Sequence, residues 1–191
     1  MVGLNIKNWI IYTQEMQNLD YNREFIPVNI SILTISDTRV LEDDKSGRYL
    51  QNSISTAGHI CKERKVVKDD VDLILNVFNA WIKKDDIDVI ITTGGTGITG
   101  RDVTPEAMDK IQDKYIPGFG EVFRQISYGK IGSSTIQSRA NACIAKGKFI
   151  FSLPGSPGAC KDAWENILLY QLDNRNRPCN LVELMPRLLE T

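Results

Sequence analysis

Short apolar blocks recur along this chain with the composition of buried β-strands. The first covers 28–35 and is β-branched, and the runs at 87–92 and 148–153 are mostly apolar. Residues 59–67 form a fourth candidate strand. Runs of this kind are typical of a parallel sheet that is covered on both faces.

Segments with helical periodicity separate these strands. Between 71 and 82 one helical face carries six apolar residues, Val71, Ile74, Leu75, Phe78, Trp81 and Ile82. Asp69 and Asp70 lie at the start of this helix, where a carboxylate can cap free backbone N–H groups. An earlier helical face is formed by three apolar residues, Leu50, Ile54 and Ala57. We expect Ser46 to cap that helix and Gly58 to end it.

Three further helices are predicted in the second half of the chain. One begins at Thr104, which we expect to cap it ahead of Pro105, and a second covers Gly120–Tyr128. The third follows the turn at 154–157. Residues 129–145 carry no pattern that predicts a strand or a helix.

Strands and helices in this order predict a parallel sheet between helix layers, with right-handed crossovers. The expected fold class is α/β, a three-layer sandwich with a mostly parallel central sheet. No repeat or flexible linker interrupts it, so we expect one α/β domain over 26–173, an N-terminal extension over 1–25 and a tail over 174–191. Apolar residues near the end of the tail must be buried, either against another copy of the chain or within its own core.

Composition and charge exclude several classes of protein. The chain has 191 residues, 42% of them hydrophobic, and 23 basic residues balance 24 acidic ones. A net charge of −1 gives no overall field for binding nucleic acid. No apolar run approaches the ~18 residues that a membrane helix needs, and residues 1–24 lack the features of a secretory signal. We therefore expect a cytoplasmic protein that binds neither nucleic acid nor membranes.

The cysteines and the single histidine do not have the spacing of a metal site or of a disulfide framework. Cys61, Cys143, Cys160 and Cys179 are scattered singly. We interpret them as free thiols, and His59 as a surface residue near the end of an element.

A glycine-rich segment follows the predicted strand at 87–92. Gly95 to Gly100 fits the pattern G-x-G-x-x-G, but its helix starts only at Pro105, too late for a dinucleotide-binding fold. It is not a P-loop either, because Arg101 and Asp102 replace the lysine and the hydroxyl residue. Glycines at a strand end nevertheless allow backbone N–H groups to approach an anion, and three threonines add hydroxyl donors, Thr93, Thr96 and Thr99.

A second turn, at 152–157, has the same character and leads into a helix. Two such turns at one sheet edge predict an elongated, polyanionic ligand, although both could be tight turns alone. Asp37, Asp69 and Asp102 are expected at the same edge, where they would repel phosphates unless a cation such as Mg²⁺ lies between them. The structural alternatives are an Asx turn for Asp37, a helix cap for Asp69 and support of Thr104 for Asp102.

Several segments of the chain resemble the MoaB/MogA family of molybdenum cofactor biosynthesis proteins. The main motifs are LTISDTR at 33–39, TTGGTGITGRDVTPEA at 92–107 and FSLPGSP at 151–157. Further similar segments, which favour the MoaB branch, lie at 118–124, 137–140, 163–166, 171–173 and 177–180. The resemblance implies the molybdopterin-binding fold and, in active members, transfer of AMP from Mg-ATP to the terminal phosphate of molybdopterin, with release of pyrophosphate.

The resemblance also implies roles for individual residues. Asp69 and Asp102 match the two aspartates of adenylyl-transferring members and are expected to be catalytic and to hold Mg²⁺. Ser138 matches the pterin-side serine, with Arg139 as a phosphate partner. The remaining ligand-binding positions are Asp37, Thr93, Gly94, Gly95, Thr96, Gly97, Pro154, Gly155 and Ser156. Lys68 stands where such members often have proline.

The family resemblance leaves two questions open. The chain could be an adenylyltransferase with ATP as co-substrate, or it could bind or carry molybdopterin without transferring AMP. A nicotinamide-dependent oxidoreductase is a third, more general hypothesis. The resemblance further implies a homo-oligomer, a trimer as in MogA-like members or a hexamer as in MoaB-like members.

Overall fold

The computed structural model describes residues 18–190 and contains eight strands and five main helices. The strands are β1 (Asn18–Leu19), β2 (Asn29–Ile35), β3 (Ile60–Val67), β4 (Val89–Thr93), β5 (Lys114–Tyr115), β6 (Asn141–Ala145), β7 (Lys148–Leu153) and β8 (Asn176–Arg177). The helices are α1 (Lys45–Thr56), α2 (Val71–Trp81), α3 (Thr104–Asp109), α4 (Pro117–Ile131) and α5 (Pro157–Ala163). α5 continues through a π-helical segment, Trp164–Leu168, into a last turn, Leu169–Gln171.

Six strands form one mixed sheet in the order β3-β2-β4-β7-β6-β5. The first four are parallel to one another, whereas β6 is antiparallel to β7 and β5 to β6. The predicted α/β class and the mostly parallel sheet are therefore confirmed. β6 falls in the segment for which the sequence predicts no element. It reaches β7 through a two-residue turn in which Lys146 and Gly147 both have positive φ, 48° and 79°.

Helices cover both faces of the sheet, which explains the apolar strands. Ile30, Ile32 and Val89 point to the face that α1, α4 and α5 cover. The neighbouring Leu33 and Ile90 point to the opposite face, which α2 and α3 cover. Because both faces are dry, successive residues of a central strand are apolar and the period-two alternation of a one-sided sheet is lost.

The start of α1 differs from the prediction. Asp44, not Ser46, caps the helix, and its carboxylate accepts a hydrogen bond from the backbone N–H of Gly47 (2.8 Å). The Ser46 hydroxyl instead donates to the carbonyl oxygen of Gly155 at 2.8 Å. The prediction fails because this serine contacts a turn that is distant in sequence.

Two other helix starts concern residues that were candidates for the site. Asp70 caps α2 by accepting from the N–H of Leu73 (3.0 Å), so Asp69 is not used as the cap. α3 has no side-chain cap, contrary to the prediction for Thr104. The Thr104 hydroxyl donates to the carbonyl oxygen of Gly94 at 2.8 Å and so ties the helix to the glycine-rich segment.

α4 is longer than the predicted Gly120–Tyr128. Pro117 lies in its first turn, and Gly132, with φ of +58°, follows its last residue. A 3₁₀ segment, Gly132–Gln137, then leads to β6. Of the helices within 18–190, none is long and apolar enough to span a membrane.

The end of the chain packs on its own core. Leu181, Met185 and Leu188 pack against the core on the α1/α4/α5 face, and Val182 is buried there, whereas Leu189 remains exposed. β1, in the predicted N-terminal extension, pairs with β8, in the C-terminal tail, as a two-stranded antiparallel sheet. Residues 1–17, the greater part of the predicted extension, lie outside the described residues.

The four cysteines are free, as predicted. Burial raises the pKa of the Cys143 thiol to about 12 and that of the Cys160 thiol to about 11. A thiol needs a lowered pKa to act as a nucleophile near neutral pH, so these two are core residues.

The prediction that His59 is a surface residue is wrong. Its side chain is 5% exposed, and Nδ1 accepts a hydrogen bond from the backbone N–H of Val28 (3.1 Å). The ring packs against Phe25 and the edge of Trp164. Burial lowers the pKa of His59 to about 4, against the opposing charge of Asp173. The sequence shows that His59 precedes a strand but not that Phe25 covers it.

We expect His59 to make the protein sensitive to acid. The pKa of His59 is lower in the folded protein than in the unfolded chain, so between pH 6.5 and 4 the unfolded chain binds more protons. The free energy of unfolding therefore decreases as the pH is lowered through this window. The loss between pH 7 and pH 4.5 amounts to about 2 kcal/mol from this group. Urea unfolding at several pH values measures it. His59→Asn keeps an acceptor near Nδ1 but cannot titrate, so an equally steep pH dependence in that variant would contradict the assignment.

Candidate functional site

A cavity of about 450 Å³ opens at the carboxyl ends of β2, β4 and β7. Ligands bind at this edge in open α/β sheets. Ten of the predicted site residues line it: Asp69, Gly94, Gly95, Thr96, Gly97, Asp102, Ser138, Pro154, Gly155 and Ser156. The structure therefore brings both candidate aspartates and both predicted anion-binding turns to one place.

Gly94 is the point where three strand ends meet. It has φ of +110°, and a Cβ atom there would lie 2.0 Å from the carbonyl oxygen of Ile35 at the end of β2. Its N–H donates to the carbonyl oxygen of Leu153 at the end of β7 (2.9 Å). A Cβ on Gly155 would lie 3.3 Å from the Gly94 Cα. Only glycine can fill this position, because the obstacle is backbone.

The next glycines make room for the two aspartates. A Cβ on Gly95, where φ is +62°, would lie 2.7 Å from Oδ1 of Asp69. A Cβ on Gly97 would lie 2.7 Å from Oδ2 of Asp102. Both carboxylates therefore pack directly on the glycine-rich segment, in space that a side chain would otherwise occupy.

The two carboxylates differ in their electrostatic surroundings. Burial, followed by the charges of Asp37 and Asp102, raises the pKa of Asp69. Asp102 is also partly buried, but the Thr99 hydroxyl (2.6 Å) and the Thr99 N–H (2.9 Å) donate to its Oδ2 and help to lower its pKa. Asp102 is thus held ionised by the loop, whereas Asp69 is a carboxylate whose charge is not fully compensated.

Asp37 does not line the cavity. Its carboxylate forms an ion pair with Arg101, whose Nη2 lies 2.7 and 2.6 Å from its two oxygens, and hydrogen bonding by this guanidinium lowers the pKa of Asp37. The N–H of Asp69 also donates to Asp37 Oδ1 at 3.3 Å. Asp37 therefore connects the loop after β2 with the loops that carry Asp69 and Arg101.

Arg139 does not line this cavity but a second one, and its side chain binds the backbone of the glycine-rich segment. Its Nε donates to the carbonyl oxygen of Gly97 (2.6 Å), Nη2 donates to that of Asp102 (2.7 Å), and Nη1 contacts Glu106. Its backbone N–H donates to the carbonyl oxygen of Thr96 at 2.9 Å. The geometry gives Arg139 a structural role, in contrast to the predicted phosphate contact.

Thr93 is the third predicted residue that does not line the cavity. It is fully buried, and its hydroxyl donates to the carbonyl oxygen of Pro154 (3.0 Å) and lies 3.2 Å from the sulfur of Cys160. It fixes the turn that follows β7 and cannot reach a ligand in this arrangement.

Sequence reasoning missed one wall of the cavity and its one basic side chain. The wall is formed by α4 and the following 3₁₀ segment, through Phe123, Ser127, Ile131, Ser134, Thr135 and Gln137. The basic side chain is that of Arg39, which follows β2. The hydroxyl run at 133–135 and the position of Arg39 just beyond a strand end were the available signals.

The arrangement suits a ligand with an aromatic part and phosphates. The wall formed by α4 and the following 3₁₀ segment, here called the α4 wall, carries apolar side chains that can pack against a flat polar ring. Its hydroxyl groups can form hydrogen bonds with the edge of such a ring. Among residues 18–190 no three acidic, histidine or cysteine side chains are grouped as a complete metal site. Two carboxylates fit Mg²⁺ nevertheless, because this ion commonly takes one or two carboxylates and completes its shell with substrate phosphates and water.

Comparison with known protein sequences agrees with this geometry. A family model described as "Probable molybdopterin binding domain" matches residues 31–174. The molybdenum cofactor biosynthesis protein B of Escherichia coli (strain K12) is 50% identical over 157 residues, covering 82% of this chain and 92% of that protein. The protein of the same name from Bacillus subtilis (strain 168) is 40% identical over 146 residues, covering 76% and 86%.

Solved structures show the same fold. A crystal structure of a molybdenum cofactor biosynthesis protein B superposes with a TM-score of 0.79 at 42% identity, covering 88% of this chain and all of that one. The tungsten cofactor synthesizing protein MoaB from Pyrococcus furiosus gives 0.67 at 37% identity, covering 74% and 91%. The Mog protein from Mycobacterium ulcerans gives 0.70 at 25% identity, covering 87% and 100%.

Alanine substitutions in the glycine-rich segment test its geometry. We expect Gly94→Ala to lower the free energy of unfolding by at least about 2 kcal/mol, since it combines an unfavourable φ with a backbone clash. Gly100→Ala is the matched control, because a Cβ there meets nothing within 4 Å, and we expect a change within about 0.5 kcal/mol. Denaturant unfolding measures both. Equal stability of the two variants would show that Gly94 does not make this close contact.

Proposed function

The chain belongs to the family of molybdenum cofactor biosynthesis proteins that share the molybdopterin-binding domain, on its MoaB branch, and we propose that it transfers AMP from ATP to molybdopterin. Substrates of the reaction are molybdopterin and Mg-ATP. The products are adenylyl-molybdopterin and pyrophosphate.

The observation that carries this proposal is the position of Asp69 and Asp102. Both line one cavity and pack on the same glycine-rich segment, beside the wall formed by α4. A protein that only held a phosphorylated ligand would gain nothing from two carboxylates at the phosphate site, because like charges repel. Carboxylates there suit a reaction in which a divalent cation accompanies a nucleotide.

The proposed reaction needs no side chain as base. An oxygen of the terminal phosphate of molybdopterin attacks the α-phosphorus of ATP, and a P–O bond forms. The bond from that phosphorus to the oxygen bridging to the β-phosphate breaks, and pyrophosphate leaves with the electron pair. Because the nucleophile is already an anion, the absence of a histidine from the cavity lining is compatible with this step.

The residues of the chain supply positioning and charge compensation. Asp69 and Asp102 would hold Mg²⁺, which when bound neutralises charge on the nucleotide phosphates. The glycine-rich segment brings backbone close to the phosphates. Ser138 and the hydroxyl groups of the α4 wall would hydrogen-bond the pterin, and Phe123 gives that wall an apolar surface.

An assay of adenylyl transfer tests the proposal. Purified protein is incubated with molybdopterin and Mg-ATP, and pyrophosphate and adenylyl-molybdopterin are both measured. We expect product with the unsubstituted protein and a loss of rate of roughly 100-fold or more in Asp102→Asn and in Asp69→Asn, while molybdopterin binding is retained. Asp85→Asn, on an exposed turn away from the cavity, is the control and should keep the full rate.

Two results would contradict the proposal. Tight molybdopterin binding without adenylylated product would make the chain a molybdopterin-binding or carrier protein. Equal turnover in Asp102→Asn and Asp85→Asn would mean that the aspartate cavity is not the reaction site.

We further propose that the chain forms a homotrimer or homohexamer, as the family resemblance implies. Large apolar side chains of α4 and the next segment are exposed in one chain, namely Val122, Tyr128, Ile131 and Ile136. Light scattering should give three or six times the chain mass of 21.5 kDa. A mass of one chain at micromolar concentration would refute this.

Removing residues 181–191 tests the contribution of the C-terminal tail to the oligomer. An unchanged oligomer in the truncated chain would exclude the tail from assembly.

A further inference from the structure

We propose that Arg39 binds the terminal phosphate of molybdopterin directly, through its guanidinium group. The inference rests on the proposed function and deepens it, because it names the side chain that holds the attacking phosphate.

Arg39 lacks the partner that most arginines of this chain have. Within 18–190, seven arginines form ion pairs with carboxylates. Arg39, Arg48 and Arg124 have no carboxylate within 4.0 Å in this part of the chain. Arg48 is exposed and contacts the Glu42 carbonyl, so water solvates its charge. Arg124 lines a second cavity and donates to the carbonyl oxygen of Ala140 at 3.0 Å.

Arg39 is the one basic side chain that lines the candidate site, counting the described residues. It is half-buried, and a half-buried guanidinium without a counter-charge is unfavourable unless a ligand supplies the charge. The cavity contains two carboxylates, yet neither lies within ion-pair distance of Arg39. Its charge therefore remains available to an anion that enters the cavity.

The guanidinium is held in place from one side. Nη1 donates to the carbonyl oxygen of Gly155 at 2.9 Å, and the backbone N–H of Arg39 donates to Oγ of Ser36 at 3.3 Å. A guanidinium has five N–H donors, so this anchor leaves a fork that matches two oxygens of a phosphate. Gly155 packs against Gly94, which places the anchored group beside the glycine-rich segment.

The distribution of charge assigns the phosphate. Asp69 and Asp102 pack on Gly95 and Gly97, and they suit the phosphates that carry a cation. A phosphate monoester without a metal ion would be repelled there, whereas Arg39, anchored on Gly155, attracts it. Adenylyl transfer requires these two kinds of phosphate to approach each other. Arg39 thus offsets the repulsion between them and orients the attacking oxygen.

Binding measurements on three variants test the assignment. Dissociation constants for molybdopterin and for ATP are measured separately, by calorimetry under reducing conditions, for the unsubstituted chain, Arg39→Gln, Arg39→Lys and the control Arg48→Gln. We expect Arg39→Gln to weaken molybdopterin binding about 10- to 100-fold and to leave ATP binding within about twofold. Arg39→Lys should lie between, and Arg48→Gln should bind as the unsubstituted chain does. Inorganic phosphate should compete with molybdopterin less effectively in Arg39→Gln.

Each outcome has a separate meaning. Unchanged molybdopterin affinity in a folded Arg39→Gln, checked by its unfolding midpoint, overturns the inference and leaves the proposed function intact. Weaker ATP binding with normal molybdopterin binding also overturns it, because Arg39 would then hold the nucleotide. If the unsubstituted chain binds molybdopterin but makes no adenylylated product, the proposed function fails while the role of Arg39 in binding can still be measured.

Discussion

The close approach of Gly94 to the carbonyl oxygen of Ile35 is the constraint on which the site depends. It places the end of β4 against the end of β2, and the hydrogen bond from Gly94 to Leu153 adds the end of β7. Three loops that line the cavity begin at these strand ends, and Asp69, in the loop after β3, packs beside them on Gly95. The sheet is stabilised by an apolar core on each face, and it therefore fixes the positions of the loops that line the cavity.

Hydrogen bonds from side chains extend this rigid arrangement from the strand ends to the candidate aspartates. Thr104 ties α3 to Gly94, and Arg139 holds the carbonyl oxygens of Gly97 and Asp102. Thr99 then holds the Asp102 carboxylate. Groups that are oriented before a ligand binds need no reorganisation during the reaction, which is the main source of electrostatic stabilisation in enzymes. Asp102 has this support, whereas Asp69 is held mainly by packing on Gly95.

The sequence predicts the fold and the location of the site better than it predicts the direction of individual side chains. The apolar runs and the glycines identify the central strands and their ligand-binding edge, because these features depend on local composition. Thr93, Thr104 and Arg139 are polar and adjacent to that edge, yet each turns to a backbone carbonyl. A hydrogen-bonding side chain near a site satisfies buried carbonyl groups as readily as it binds a ligand, and only the tertiary structure decides between them. β6 is missed for another reason, since the Lys146–Gly147 turn lacks the usual Asn-Gly or Asp-Gly signal.

The unequal support of the two aspartates bears on how the proposed reaction would be assembled. Burial, followed by the charges of Asp37 and Asp102, raises the pKa of Asp69, so ionising this carboxylate costs more free energy than ionising an exposed one. A cation held by Asp69 and Asp102 relieves that repulsion, but two carboxylates fill only part of the shell of Mg²⁺. Under the proposed function, the missing oxygens would come from nucleotide phosphates and water. The ion and ATP would therefore bind tightly only together. Although the net charge of the chain is only −1, its charged side chains are placed locally, where the phosphates of the two substrates would meet.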